Sequence, residues 1–178
     1  MPTVPTHAVV AVSLGTLFPR TSVPRPWWIV GAVGAIVPDF DVIGFRFGVR
    51  YGDFLGHRGF THSLVFAALL SLLALRCSIE GGRRTTVWTY LFIATASHGL
   101  LDALTNGGLG VALLSPFDNR RFFFPVRPID VSPIGVSEFF AQGGAAVLAS
   151  ELVWVWLPSL ALAGIGLSSR QRRRERPS

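Results

Sequence analysis

The chain has 178 residues; half are hydrophobic, 15% are charged, and the net charge of +6 comes from arginine alone, with no lysine. Soluble domains carry about 25% charged residues, so this composition excludes an ordinary soluble domain and points to the membrane. The arginines are scattered between apolar runs, apart from a basic tail from Arg170 to Arg176, which excludes a concentrated nucleic-acid patch and favours loops and a tail that touch anionic head groups.

The length suits one domain, and no internal repeat is present. The lone Cys77 excludes an internal disulfide. No basic residue precedes the first apolar run, so the N-terminus is not expected to act as a cleaved signal. Residues 7–18 suit a helix, which Pro19, Pro24 and Pro26 end. Residues 27–37 form a second apolar run, opening on a Trp pair suited to a membrane interface and closing at Pro38-Asp39-Phe40-Asp41. Residues 44–59 are glycine-rich and read as a loop with room for a short helix. Apolar runs follow at 60–75 and 87–104, separated by a polar turn at 76–86. Asn106-Gly107-Gly108 stops the second of these. Residues 109–137 are irregular and rich in proline. Residues 139–167 are long enough to span a bilayer, because about 20 apolar residues suffice, and Pro158 predicts a kink. The expected fold is all-α: a polytopic membrane domain over 1–169 with about five apolar helices, then a disordered basic tail over 170–178. The runs at 7–18 and 27–37 would each reach only about 18 Å, short of a hydrocarbon core of about 30 Å.

If every apolar run crosses in turn, one side of the membrane holds Arg20, Arg25, Arg76, Arg83, Arg84 and the tail arginines. The other side holds His7, Asp39, Asp41, His57, His62, His98 and Asp102. The positive-inside bias assigns the arginine-rich side and the tail to the cytoplasm and the histidines to the outer face.

These ionisable groups are the chemistry of the chain. His98 and Asp102 lie at i and i+4 on one helix face; they can grip one metal, or Asp102 can orient the imidazole. His57 and His62 flank Gly59, where the backbone can bend. Asp39 and Asp41, at i and i+2, face the same way if extended. With His7 this makes four histidines and three aspartates. That nitrogen and oxygen set suits zinc, manganese or iron and lacks the thiolates of a structural zinc knot. Glu138 opens the last helix in the same layer, where it is either a further ligand or a carboxylate favoured at a helix N-terminus. Glu151 lies deep in that helix; an intramembrane carboxylate calls for a partner, which the sequence does not name.

His7, Pro38-Asp39-Phe40-Asp41, Gly56-His57-Arg58-Gly59-Phe60-Thr61-His62-Ser63, Ser97-His98-Gly99-Leu100-Leu101-Asp102 and the stretch from Ser115 to Pro125 together resemble the YdjM-type bacterial inner-membrane family. That family is described as metal-dependent hydrolases and as LexA-binding. The family in turn looks distantly similar to the zinc phospholipase C and P1 nuclease group. The resemblance implies a divalent-metal site, zinc first, built from His7, Asp39, Asp41, His57, His62, His98, Asp102 and Glu138. Relatives often carry a histidine after the second aspartate; Val42 stands there in this chain, so one or two ions are expected rather than three. The implied chemistry is hydrolysis of a phosphoester, of a lipid or a small molecule. Metal lowers the pKa of a water from 15.7 to about 7. Asp39 or Asp41 accepts its proton, and Arg58, Arg120 and Arg121 meet the phosphate. Arg120 and Arg121, beside three phenylalanines, equally suit snorkelling to head groups.

Two other readings compete. One is a non-catalytic metal-binding or partner-binding regulator, which would use the cytoplasmic tail. The other is a transporter, for which the polar groups ought to be spread through the bilayer. No direct contact with nucleic acid is expected.

Overall fold

The computed structural model describes residues 1–77, 79–141 and 143–175. Its helices are α1 (Val4–Gly15), α2 (Arg25–Gly34), α3 (Leu64–Ala74), α4 (Arg84–Ala103), α5 (Val136–Ala141), α6 (Gly144–Glu151) and α7 (Leu157–Glu175). Prolines set several of the starts: Pro5 and Pro26 sit in the first turns of α1 and α2, where the missing N–H costs nothing. Among the described residues there is no strand of more than an isolated bridge: Thr105 pairs with Ile129, and Val111 with Phe122.

α4 is the central post. α1, α2 and α3 pack on it, and α7 closes over α1. Tyr90 of α4 is fully buried among Ala11, Val23, Trp27, Ala35, Val87, Leu91 and Ala94, and its hydroxyl donates to the carbonyl of Ala11 at 3.2 Å. The outside of the bundle is apolar. Ile29 and Val33 on α2, Leu69, Leu72 and Leu73 on α3, and Leu157, Leu160 and Ile165 on α7 are all exposed. The inside holds Thr6, His7, Ser71, Thr95, His98, Asp102 and Glu151. Polar groups inside an apolar shell suit lipid as the surrounding solvent, because large apolar patches are rare on soluble monomers.

Two segments, Arg25–Phe47 and Gly144–Gln171, are long and apolar enough to cross a bilayer; the sequence reading expected about five. The reason is length and polarity. α1 and α3 have 12 and 11 residues, or about 16–18 Å at 1.5 Å per residue. α4 has 20 residues, but it carries Arg84, His98 and Asp102 and supplies the core.

Local structure departs from expectation in three further places. After α2 the chain tightens into a 3₁₀ helix over Val37–Phe47, covering Asp39, Asp41 and the start of the expected loop. The single helix expected over 139–167 is broken, since Gly143 takes a left-handed conformation before α6. A π-helical turn over Leu152–Trp156 then separates α6 from α7. Pro158 explains that turn: its ring displaces the carbonyl four residues back and it donates no hydrogen bond, so the backbone takes up an extra residue. α7 also continues to Glu175, into the stretch where a disordered tail was expected; Arg176–Ser178 lie outside the described residues.

A buried aspartate and histidine cluster

The segment from Gly56 to Ser63 builds one wall of the site. Gly56 is obligatory, since a Cβ there would lie 2.2 Å from the carbonyl oxygen of Arg50. That close approach folds the loop over itself. Arg58 follows with φ of 62°, a left-handed conformation that side chains rarely adopt, and this turns its guanidinium inward. Thr61 donates to Asp41 Oδ2 at 2.7 Å. His62 closes a short 3₁₀ turn. Ser63 caps α3, its hydroxyl accepting from the N–H of Phe66 at 3.0 Å, a contact worth about 1 kcal/mol.

Opposite this wall, α4 presents His98 and Asp102, and the 3₁₀ helix presents Asp39. His62 Nε2 lies 3.0 Å from His98 Nε2, 3.6 Å from Asp39 Oδ1 and 3.3 Å from Asp102 Oδ2. His98 Nε2 lies 3.3 Å from Asp39 Oδ1 and 3.9 Å from Asp102 Oδ2. These four side chains offer ligand atoms that all lie within 4.8 Å of one another. The separations bracket the edge of about 3.4 Å that a tetrahedron with metal bonds of about 2.1 Å requires. All four side chains are 5% exposed or less.

The imidazoles are fixed in the tautomers a metal needs. His98 Nδ1 donates to the carbonyl of Ala35 at 2.7 Å, leaving Nε2 as a lone pair aimed into the cluster. His62 turns Nδ1 to Asp41 Oδ2 at 3.2 Å and Nε2 inward. Burial opposes charge on His62, but the close carboxylates of Asp102, Asp39 and Asp41 outweigh it and raise its pKa to about 10. Without metal, a proton therefore supplies the positive charge that the carboxylates demand.

Asp39 and Asp41 do not face the same way. In a 3₁₀ helix of three residues per turn, positions i and i+2 diverge. Asp39 enters the cluster, while Asp41 stands behind it and links two imidazoles: His57 Nδ1 donates to Asp41 Oδ1 at 2.7 Å. Asp41, His57 and His62 form a second convergent set, but its close contacts are already hydrogen bonds, so it orients the first. Burial pulls His57 below the ordinary imidazole range.

His7 reaches the cluster from α1. Its ring stacks on His98 with centroids 3.8 Å apart, and Nε2 lies 3.9 Å from Asp102 Oδ1. Both ring nitrogens of His7 and both carboxylate oxygens of Asp39 and of Asp102 are buried without a well-formed hydrogen bond among the described residues. An unsatisfied buried polar group costs about 1–3 kcal/mol, and more if charged. Six such atoms in one cluster fit a divalent cation, and the donor set suits zinc, manganese or iron.

Of the remaining expected site residues, Arg58 contacts the cluster and the others lie away from it. Arg58 is fully buried; its Nε lies 3.2 Å from Asp102 Oδ2, Nη1 donates to the carbonyl of Gly107 at 2.8 Å and Nη2 to Thr105 Oγ1 at 3.0 Å. It braces Asp102 and the loop after α4. Arg121 holds the loop around Gly56 through the carbonyls of His57 and Tyr51, at 2.7 and 2.9 Å. Arg120 is exposed and paired with Asp118 at 2.6 Å. Glu138 is exposed and bonded to Ser137, so it does not join the cluster. Glu151 has its partners: Thr3 Oγ1 and Thr6 Oγ1 each donate to its carboxylate oxygen Oε2 at 2.6 Å. Thr61 and the carbonyl of Ala35 are positioning groups that the sequence reading missed; the hydroxyl beside His62 was the available signal for Thr61.

A membrane-embedded helical bundle with an interior aspartate and histidine cluster is the class that fold and site define. The chain belongs to the YdjM inner membrane protein family, whose profile matches residues 1–173. It is 42% identical over 167 residues to the inner membrane protein YbcI of Escherichia coli (strain K12), a match that covers 93% of this chain and 96% of that one. No solved structure matches it.

Proposed function

We propose that this protein holds one divalent ion, zinc first with manganese or iron as alternatives, and hydrolyses a phosphoester of a lipid or small molecule at the outer face of the inner membrane. The observation that carries the reading is the convergence of Asp39, His62, His98 and Asp102 in the protein interior, with carboxylate oxygens that make no well-formed hydrogen bond among the described residues. A bound ion would supply Lewis acidity, activating water near neutral pH and polarising the ester. The residues divide the remaining work. His98 and His62 are held in their tautomers by Ala35 and Asp41. Arg58 neutralises part of the charge on Asp102. Asp39 Oδ2 makes no hydrogen bond among the described residues and would be the oxygen to accept a proton from an attacking water. Kinship to the zinc phospholipase C and P1 nuclease group belongs to this proposal and rests on the ligand chemistry.

A second reading, a non-catalytic metal-binding or regulatory membrane protein, is favoured by burial. His7, His98 and Asp102 are fully enclosed, as a structural ion would be. Metal analysis by mass spectrometry on detergent-purified protein, combined with a phosphoester panel, separates the two. One ion per chain with turnover, both lost in His62→Ala, supports the hydrolase. One ion without turnover supports the metal-binding form of the second reading, and a folded wild type that binds no metal sinks the hydrolase and leaves only a regulator.

A further inference from the structure

The end of the bundle away from the cluster carries a second arrangement. α1 and α7 leave between them an apolar trough of about 530 Å³, lined by Val9, Val12, Leu160 and Ala163 and closed at one end by Arg20 and Arg25. A recess of about 300 Å³, lined by Arg20, Leu167 and Arg170, adjoins it through the shared Arg20 and Leu167.

Arg170 is the fixed member of this group. It projects from α7, and Nη2 donates to the carbonyls of Gly15 and Phe18 at the end of α1. Its guanidinium lies 5.1 Å over the Trp28 ring. Its Nε and Nη1 are buried without a hydrogen-bond partner among the described residues. Arg20 and Arg25 are exposed and close enough for their charges to act on Arg170. Among the side chains described, which end at Gln171, no carboxylate forms an ion pair with any of the three. Three guanidiniums gathered without a counter-charge repel one another, and unpaired buried donors are costly. A phosphate relieves both, since guanidinium donors match its oxygens. The apolar trough beside them matches an acyl chain. Basic pockets between membrane helices bind anionic head groups in this way.

We infer that the trough between α1 and α7 binds one anionic diacyl phospholipid, its phosphate on Arg20, Arg25 and Arg170 and an acyl chain along Val9, Val12, Leu160 and Ala163. The site is separate from the metal cluster and does not depend on it.

The test uses the full chain in detergent with added phosphatidylglycerol or phosphatidylcholine, read by native mass spectrometry and thermal unfolding. Phosphatidylglycerol should be retained one per chain and raise the melting temperature; phosphatidylcholine should do neither. Arg170 also ties α7 to α1, so the informative variant is the double substitution Arg20→Gln with Arg25→Gln, whose side chains make no hydrogen bond among the described residues. It should melt like the parent without lipid and bind phosphatidylglycerol at least tenfold more weakly. Ala163→Trp, which fills the trough, should weaken binding while sparing the arginines. Arg46→Gln, an exposed arginine of the 3₁₀ helix that carries Asp39, should change nothing. Equal binding of the two lipids, undiminished phosphatidylglycerol binding by the double variant or by Ala163→Trp, or equal stabilisation by inorganic phosphate would overturn the assignment.

Discussion

Asp39 and Asp41 sit two residues apart and serve the same imidazole from different sides. Asp39 meets His62 at Nε2, and Asp41 meets it at Nδ1. The first contact is replaceable only by a metal or a proton; the second is a hydrogen bond that fixes the ring. Removing an orienting partner of this kind costs about 10–100-fold in metal affinity. Asp41→Asn should therefore keep one ion per chain and weaken its binding by that factor, whereas Asp39→Asn and His62→Ala should lose stoichiometric metal. Competition against a chromophoric chelator measures the difference. An Asp41→Asn protein as metal-free as His62→Ala would make Asp41 a ligand in its own right.

At the scale of elements, the site depends on how closely α4 approaches the 3₁₀ turn that ends at His62. Gly99 sets that approach, because a Cβ on it would lie 2.4 Å from the carbonyl oxygen of His62. Gly99→Ala should push the turn away and separate His62 Nε2 from His98 Nε2. Overpacking of this kind costs about 1–3 kcal/mol. Metal affinity should fall with stability, although no ligand is altered; thermal unfolding and metal titration of the same preparation report both. Unchanged affinity would mean that the wall is more yielding than its packing implies. Much of the site could be read from the chain itself. His7, His62, His98 and Asp102 stand out because ionisable groups in apolar segments are costly enough to need a reason. Other features could not be read. The divergence of Asp39 from Asp41 depends on a 3₁₀ period that no local signal announces. The inward turn of Arg58 depends on a left-handed backbone and a tightly folded glycine loop. The partners of Glu151, Thr3 and Thr6, lie 148 and 145 residues away, beyond any pattern of spacing. The prolines fared better: Pro158 was legible as a disturbance, and only its form, a π turn, was not.

For the whole molecule, much of the polarity is inverted, with exposed leucines outside and an aspartate and histidine cluster within. Such an interior is held by satisfied charge rather than by apolar burial alone. A ligand that binds only the folded state adds about 2.7 kcal/mol at a hundred times its dissociation constant. For a chain of this size that is a shift of roughly 5–10 °C in Tm. Chelation should lower the melting temperature by that amount, and zinc should restore it. In His62→Ala the chelator should have no effect. A chelator that shifts both proteins equally would be acting elsewhere than on this cluster.

The clasp between Thr3, Thr6 and Glu151 joins the first helix to one made near the end of synthesis. At translation speeds of about 5–20 residues per second, the nascent α1 waits roughly ten seconds or more for its anchor to leave the ribosome. Until then the ring of His7 is carried by a helix with a loose end. The four ligands are all made by residue 102, so the clasp bears on when α1 and its His7 are locked against them, not on when they are made.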